Sequence, residues 1–364
     1  MKKKKDTIIV GISGCVGGIV GFFGATYMHK VGIKGLDWIY IFVGVILALY
    51  IQLILHEVGH LIFGLITKYK FVSFRIGDWV LYKKDGKLHW GKYYMASATG
   101  HCLMVPPNMK EGKIPHQLYN FGGAIANLLT AGIASIIFVF VKVGILGGAI
   151  CIAMVVIGLF LAVINGFPLR FSETGNDGYN VFALSENYES LRAFWIQLKV
   201  KEMLTGGMRL KDMPEEWFEK SDEESMKNNM IATVASIRCS RLIDSMKFNE
   251  ASQEIEELLQ RENGLVDASR MFLQMEKIFC EIYGQRHEEV LNRMKEKEMK
   301  TFMKTMKLVP SVLRTQYAYE LLIERDSQKA FVIKKQFQKI MEKYPYEGEI
   351  VSEWELIHYC EDNF

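Results

Sequence analysis

The sequence predicts a mainly α-helical, polytopic membrane protein in which a membrane bundle is joined to a charged helical domain. Three observations lead to this fold class. Four apolar stretches in the first half are each long enough to cross a bilayer, which takes about 20 residues. After about residue 179 the chain becomes charged and has the periodicity of amphipathic helices. Between the second and third stretches, apolar and polar residues alternate as in β-strands.

The composition agrees with a chain made of two unlike parts. Half of the 364 residues are apolar, yet the mean hydropathy is close to zero. The formal net charge of +3 is too small to favour a nucleic-acid binder, so we expect no nucleic-acid partner. The six cysteines are scattered without a CxxC pair, which predicts reduced, structural thiols.

The four candidate spans are Thr7–Met28, Leu36–Ile66, Leu118–Val141 and Gly144–Phe167. The first follows a lysine run, as in a signal peptide. Its apolar part is too long for the apolar region of a signal peptide, and no small-residue cleavage site follows. We therefore predict a retained anchor helix. Basic residues are concentrated before the first span and in the loop between the second and third. The positive-inside rule therefore places both termini in the cytoplasm of a multi-pass cell-membrane protein.

These features divide the chain into an anchor (1–35), a membrane core (36–180) and a cytoplasmic helical domain (181–364). In the long cytoplasmic loop, alternating residues on either side of Asp85-Gly86 predict a β-hairpin. Amphipathic helices are predicted near Glu186–Leu204, Ser225–Met246, Glu250–Arg261, Asp267–Tyr283, Val312–Arg325 and Gln328–Tyr344. The short turns between them favour helical hairpins, either of a tetratricopeptide-like solenoid or of an irregular helical domain.

The second span contains the motif His56-Glu57-Val58-Gly59-His60. Two histidines four residues apart lie on one face of a helix and can bind one zinc ion, with Glu57 beside the metal as a base. An ionisable side chain in a membrane span costs at least about 2.5 kcal/mol, so it needs a functional reason. That cost argues against a chance pair of histidines packed on a neighbouring helix.

A catalytic zinc site needs a third protein ligand and an open position for water. The best candidate is Asp177, which follows the fourth span in a segment where Pro168 should end the helix. Gly175 and Gly178 flank this aspartate and predict flexible backbone. From the spacing alone, Asp177 is equally well explained as a turn residue in a cytoplasmic loop.

Together these motifs resemble the site-2 protease family of intramembrane zinc metalloproteases. One span has HExxH, and a later span has Asn165-x-x-Pro168 followed by Asp177-Gly178. The resemblance covers about residues 36–180 and implies a three-helix membrane core. The roles it implies are zinc ligation by His56, His60 and Asp177, catalysis by Glu57, and a polar contact at the active site by Asn165.

Two positions keep alternatives open. In the family's commonest pattern the acidic ligand comes eight residues after the asparagine, where this sequence has Glu173; Asp177 comes twelve residues after it. We favour Asp177 because Gly178 follows it, with Glu173 as the alternative. In the third span Asn127 lies on a face of small residues, where it either contacts substrate or makes an interhelical hydrogen bond.

The function expected from these residues is zinc-dependent endopeptidase activity inside a membrane. The cofactor would be Zn²⁺, and the substrate a single-pass membrane protein or a membrane-bound peptide. Cleavage would either release a membrane-tethered regulator or process a small peptide such as a pheromone or bacteriocin precursor. The alternative is a catalytically idle membrane adaptor that recruits a protein partner through its helical domain.

Overall fold

The computed structural model describes residues 32–84, 86–92, 100–171 and 174–364. This described part contains thirteen α-helices. They are α1 (Asp37–Ile66), α2 (His116–Phe140), α3 (Ile145–Gly166), α4 (Asp177–Glu186), α5 (Tyr188–Thr205), α6 (Asn229–Asp244), α7 (Phe248–Gln260), α8 (Asp267–Tyr283), α9 (Glu288–Asn292), α10 (Lys297–Thr305), α11 (Pro310–Leu322), α12 (Ser327–Met341) and α13 (Glu347–Asp362). The strands are β1 (Lys70–Ile76), β2 (Trp79–Lys84), β3 (Lys87–Lys92), β4 (Gly100–Val105), β5 (Arg170–Phe171) and β6 (Thr174–Gly175).

The chain divides into two compact units. The first comprises Met1–Lys68, Pro115–Phe171 and Gly175–Phe182; the second comprises Tyr69–Ile114, Ser172–Thr174 and Ala183–Phe364. The second unit thus combines the sheet segment with the C-terminal helices. The division at residues 35 and 180 stays a prediction.

The first unit is built on α1, α2 and α3, which are each long and apolar enough to cross a membrane. Their bounds agree with three of the predicted spans to within two residues at each end, and the crossing of a membrane stays a prediction. No more than 39% of each apolar window is buried inside the protein. Most of the apolar side chains in these windows are therefore not buried within the protein, a pattern typical of helices that cross a bilayer. The other predicted span, Thr7–Met28, lies outside the described residues.

Small residues let these three helices approach closely. A Cβ atom on Gly59 of α1 would lie 2.2 Å from the carbonyl oxygen of Gly122 on α2. A Cβ atom on Gly44 would lie 3.1 Å from the Cβ of Ala149 on α3. Helices in membranes associate through this kind of backbone contact, because burial of apolar side chains gives no advantage over lipid. The helix α3 ends at Gly166, two residues before Pro168, as predicted.

A small antiparallel sheet in the second unit confirms the predicted hairpin. Its strand order is β3-β2-β1-β4. The strands β2 and β3 pair from Trp79 opposite Lys92 to Lys84 opposite Lys87, which leaves two residues between them. The sequence analysis missed β4, whose Leu103, Met104 and Val105 are fully buried. A buried strand is a continuous apolar run and lacks the alternation that identifies a half-exposed strand.

The C-terminal helices α5 to α8, α11 and α12 agree with the six predicted segments to within a few residues at each end. The helices α6 to α8, α11 and α12 share one large core with α13, to which Phe279, Phe337, Ile357 and Cys360 contribute fully buried side chains. The helix α5 contributes Ala193, Ile196 and Val200 to a separate core. The short helices α4, α9 and α10, and also α13, were not predicted. The arrangement as tetratricopeptide-like repeats stays a prediction. The cysteines among the described residues are free and buried, as expected.

Candidate metal centre

Three side chains of the first unit converge on one point. The Nε2 atoms of His56 and His60 lie 3.2 Å apart. The Oδ2 atom of Asp177 lies 3.2 Å from the first of these nitrogens and 3.3 Å from the second. Both histidines are buried, with relative exposures of 9% and 8%. The structure therefore brings together the three residues that the sequence analysis selected as metal ligands.

Each imidazole has its second nitrogen in a hydrogen bond. His56 Nδ1 lies 2.7 Å from Asn127 Oδ1, and His60 Nδ1 lies 2.7 Å from the backbone carbonyl oxygen of Tyr119. Since both oxygens act as acceptors here, both Nδ1 atoms carry the proton and donate it. In a neutral imidazole the Nε2 atom then has a free lone pair. The two lone pairs face the same point, which is the arrangement required of metal-binding histidines.

A buried amide pair fixes the orientation of Asn127. Its Nδ2 donates to the backbone oxygen of Gln52 at 2.9 Å and to Gln52 Oε1 at 2.7 Å. Gln52 Nε2 in turn donates to the backbone oxygen of Met154 on α3, at 2.7 Å. Because the Asn127 nitrogen is occupied by these acceptors, its Oδ1 must face His56. Gln52 and Asn127 are both fully buried, and the sequence analysis did not select Gln52.

Glycines make room for this network. A Cβ atom on Gly123 would lie 2.4–2.6 Å from ring atoms of His56. A Cβ atom on Gly158 would lie 2.4 Å from Gln52 Nε2. A side chain at either glycine would displace His56 or Gln52 from the hydrogen-bond network that links α3 to the His56 imidazole. The face of α2 that carries Gly123 and Asn127 is therefore shaped to receive α1 and the side chains on it.

Asp177 lies at the start of a helix. The prediction of flexible backbone around it is therefore wrong. It is the first residue of α4, and Asn176 caps this helix by accepting a hydrogen bond from the Tyr179 backbone N–H at 2.8 Å. The Asn176 side chain also accepts from the Leu169 N–H at 3.1 Å and donates to the Phe167 oxygen at 2.7 Å. These bonds tie the start of α4 to the chain that leaves α3. An asparagine directly before the first residue of a helix is a common N-cap, and the sequence analysis missed this signal at Asn176.

The position after Asp177 requires a glycine for a steric reason. A Cβ atom on Gly178 would lie 2.4 Å from the backbone oxygen of Gly166. Only a residue without a side chain lets the first turn of α4 lie against the end of α3. The Asp-Gly pair therefore sets how closely the carboxylate approaches the two histidines.

The remaining predicted site residues have different surroundings. Glu57 follows His56 on α1 and is half-buried. Asn165 Nδ2 donates to the Leu161 oxygen of its own helix at 3.1 Å, and the described contacts do not connect it to the candidate metal ligands. Glu173 lies outside the described residues. The structure gives Asn127 interhelical hydrogen bonds, and its contact with substrate stays a prediction.

The three converging atoms form a site that could hold a metal ion. Two imidazole lone pairs and a carboxylate oxygen repel one another at 3.2–3.3 Å unless a cation lies among them. Ligand atoms held about 2.0–2.1 Å from a tetrahedral ion are separated by about 3.3–3.4 Å. The observed spacings are close to this value. A shared proton is the other way to relieve the repulsion, and it would leave a histidine–aspartate ion pair.

Comparisons with known proteins add no relatives: no protein-family model, curated protein or solved structure matches this chain.

The hydrogen bond from His56 to Asn127 leads to a prediction about metal affinity. Asn127→Leu removes the acceptor for His56 Nδ1 at similar volume. Loss of such a supporting group typically lowers metal affinity about 10–100-fold, and we expect a loss in that range. Asn165→Leu is the matched control, because its amide bonds within its own helix. Competition with a chromogenic chelator measures the metal affinity of both variants. Equal affinities for the two variants would rule out a supporting role for Asn127.

Proposed function

We propose that this protein is a zinc-dependent endopeptidase that acts within a membrane, with His56, His60 and Asp177 as ligands. The observation that supports this proposal most is the convergence of two imidazole nitrogens and one carboxylate oxygen at metal-ligand spacing. Two histidines with one carboxylate are a donor set of catalytic zinc sites, which keep a position open for water. The resemblance to the site-2 protease family supports the same assignment.

Glu57 is the proposed proton carrier. When bound, zinc would lower the pKa of water towards 7 and polarise a peptide carbonyl group. Glu57 lies one residue after His56 and three before His60, on the same turn of α1. Its carboxylate accepts the proton of the attacking water and returns it to the leaving amine. Its half-buried position suits this role, since the carboxylate must reach both water and substrate.

The proposed substrate is a peptide bond of a membrane-spanning or membrane-associated peptide. His60 lies six residues before the end of α1 at Ile66, which is about 9 Å along a helix axis. A substrate helix must unwind there, because helical hydrogen bonds occupy its carbonyl groups. The product would be either a released regulator or a processed peptide such as a pheromone or bacteriocin precursor.

Metal content and peptide cleavage together test this function. We expect the detergent-purified protein to contain about one zinc ion per chain, as in other mononuclear sites. It should cleave a fluorogenic transmembrane peptide, lose this activity with 1,10-phenanthroline and regain it on addition of Zn²⁺. A metal-free protein that binds no added Zn²⁺ would show that His60 and Asp177 form an ion pair instead. A zinc-loaded protein without activity on any membrane peptide would favour the idle adaptor.

The proposed orientation has both termini and the long loop in the cytoplasm. Single cysteines placed by Lys4→Cys, Lys84→Cys and Asn363→Cys should react with an impermeant maleimide only after the membrane is permeabilised. The protein without these substitutions gives the background, which should be low because the described native cysteines are buried. Labelling of the Lys84→Cys variant in intact cells would invert the membrane core and contradict water access from the cytoplasm.

A further inference from the structure

The helical part of the second unit contains a cleft that the proposed protease does not use. A cavity of about 370 Å³ lies between α5, α6, α8, α11 and α13. A second cavity of about 300 Å³ extends from it towards Tyr344 and Tyr346. The two adjoin, because they share the lining residues Lys201, Leu204, Ser240, Glu276, Ser311 and Glu349. We call this pair of adjoining cavities the cleft; each is close to or within the size range that ligands occupy in proteins.

The cleft contains more carboxylates than cations can neutralise. Buried Arg314 stacks over Phe279 at 4.1 Å and forms ion pairs with Glu276 and Glu353, the latter at 3.2 Å. Glu349 adds a third carboxyl group, which accepts a hydrogen bond from the Tyr344 hydroxyl at 2.9 Å. One guanidinium group therefore serves three carboxyl groups. Ionisation of all three carboxyl groups would leave uncompensated negative charge among buried side chains.

The other charged groups of the lining do not change this balance. Asp244 is neutralised by Arg209, whose Nε lies 3.0 Å from Asp244 Oδ1, and its Oδ2 accepts from the Lys211 backbone N–H at 2.9 Å. Lys201 forms no ion pair within 4 Å among the described residues, and burial lowers the pKa of its ammonium group. Its charge is thus not paired with any of the three carboxyl groups.

A second observation is that one carboxylate oxygen of this acidic cluster lacks a hydrogen-bond partner. Glu353 has a relative exposure of 5%, and its Oε2 atom is buried without a hydrogen-bond partner among the described residues. A buried, unsatisfied polar atom destabilises the fold, and more so when it is charged. Burial raises the pKa of Glu353 to about 8 and that of Glu349 to about 7. Without a further cation, these carboxyl groups are therefore driven to retain protons near neutral pH.

We propose that this cleft binds an extended peptide segment and that a lysine or arginine side chain of this segment donates to Glu349 and Glu353. An ammonium or guanidinium group supplies the positive charge that the two carboxyl groups share too little of, and a donor for the unsatisfied Glu353 Oε2. The apolar lining, including Leu204, Ile237 and Leu356, suits the aliphatic stem of a basic side chain and its neighbours. A small amine would fill only part of the two adjoining cavities of about 370 and 300 Å³, which favours a peptide. This site is independent of the metal centre.

Two peptide libraries test the proposal on the full-length protein in detergent. Both are heptapeptides randomised at the flanking positions; the central residue is lysine in one and norleucine in the other. Immobilised protein should enrich the lysine library at least tenfold over the norleucine library. The affinity of an enriched lysine peptide should rise from pH 6 to pH 8.5, because the two carboxyl groups ionise while lysine, with a pKa of about 10.4, stays charged.

Substitutions on α13 locate the site. Glu353→Gln and Glu349→Gln should each weaken lysine-peptide binding about tenfold or more, the usual value of a charged hydrogen bond. Asp362→Asn removes the same charge from the exposed end of α13 and should leave binding unchanged. Glu349 is only partly buried, so its variant tests the site even where Glu353→Gln fails to fold. Equal enrichment of the two libraries, or an equal loss with Asp362→Asn, would overturn the proposal; full competition by n-butylamine would overturn its peptide part.

Discussion

Glu57→Gln is expected to abolish peptide cleavage while the metal stays bound. The change removes the proton acceptor and leaves His56, His60 and Asp177 in place. Loss of a general base typically costs about 10²–10⁴-fold in rate, and we expect an effect of this size. Cleavage of a fluorogenic transmembrane peptide and zinc analysis of the same preparation measure the two effects together.

The control for this substitution is Asp37→Asn at the start of the same helix. Asp37 lies twenty residues before Glu57 on α1, about 30 Å along the helix axis. Its loss removes one acidic group from α1 without touching the site, so activity should stay near that of the unchanged protein. Chelator-sensitive cleavage that survives Glu57→Gln would mean that another group carries the proton.

Asp177→Ala is expected to empty the metal site. Asp177 Oδ2 lies 3.2–3.3 Å from both histidine nitrogens, so this variant loses one of three ligands. The loss of metal affinity should exceed the roughly 10–100-fold that removal of a supporting residue causes. Cleavage should fall with occupancy and should recover in part at high Zn²⁺ concentration. Metal analysis after gel filtration, with circular dichroism as a check on folding, gives the result.

Glu173→Ala is the matched variant for this experiment, because Glu173 has the shorter spacing from Asn165. We expect it to retain both zinc and activity. If Glu173→Ala loses the metal while Asp177→Ala keeps it, the ligand set must be reassigned to the shorter spacing. The contact between Asp177 and the histidines would then be an ion pair beside the metal.

Much of the first unit could be predicted from local sequence. A membrane span needs a long apolar run, so α1, α2 and α3 were located to within two residues at each end. The placement of His56 and His60 on one face follows from helix periodicity alone. Pro168 ends α3 for an equally local reason, since it cannot continue the backbone hydrogen bonds. Each of these predictions depends on residues that are neighbours in the chain.

The predictions that failed depended on packing. The sequence around Asp177 has the glycines of a flexible loop, yet Asn176 caps a helix there and Gly178 lies against Gly166. The strand β4 was missed because the consecutive residues Cys102 to Val105 are all buried, so its sequence lacks the alternation of a half-exposed strand. The first predicted span, Thr7–Met28, and the repeat organisation of the C-terminal helices stay predictions.

The sequence by itself determined three apolar helices, a hairpin turn and a histidine pair on one helical face. Only the tertiary structure decided which polar groups meet that pair. Gln52 and Asn127 lie 75 residues apart in the chain and form one hydrogen-bonded unit behind His56. The carboxylate of Asp177 reaches the histidines because small residues let α3 and the start of α4 pack closely against their neighbours. Periodicity encodes which face of a helix a side chain occupies, whereas the residue it contacts is set by the packing of helices distant in sequence.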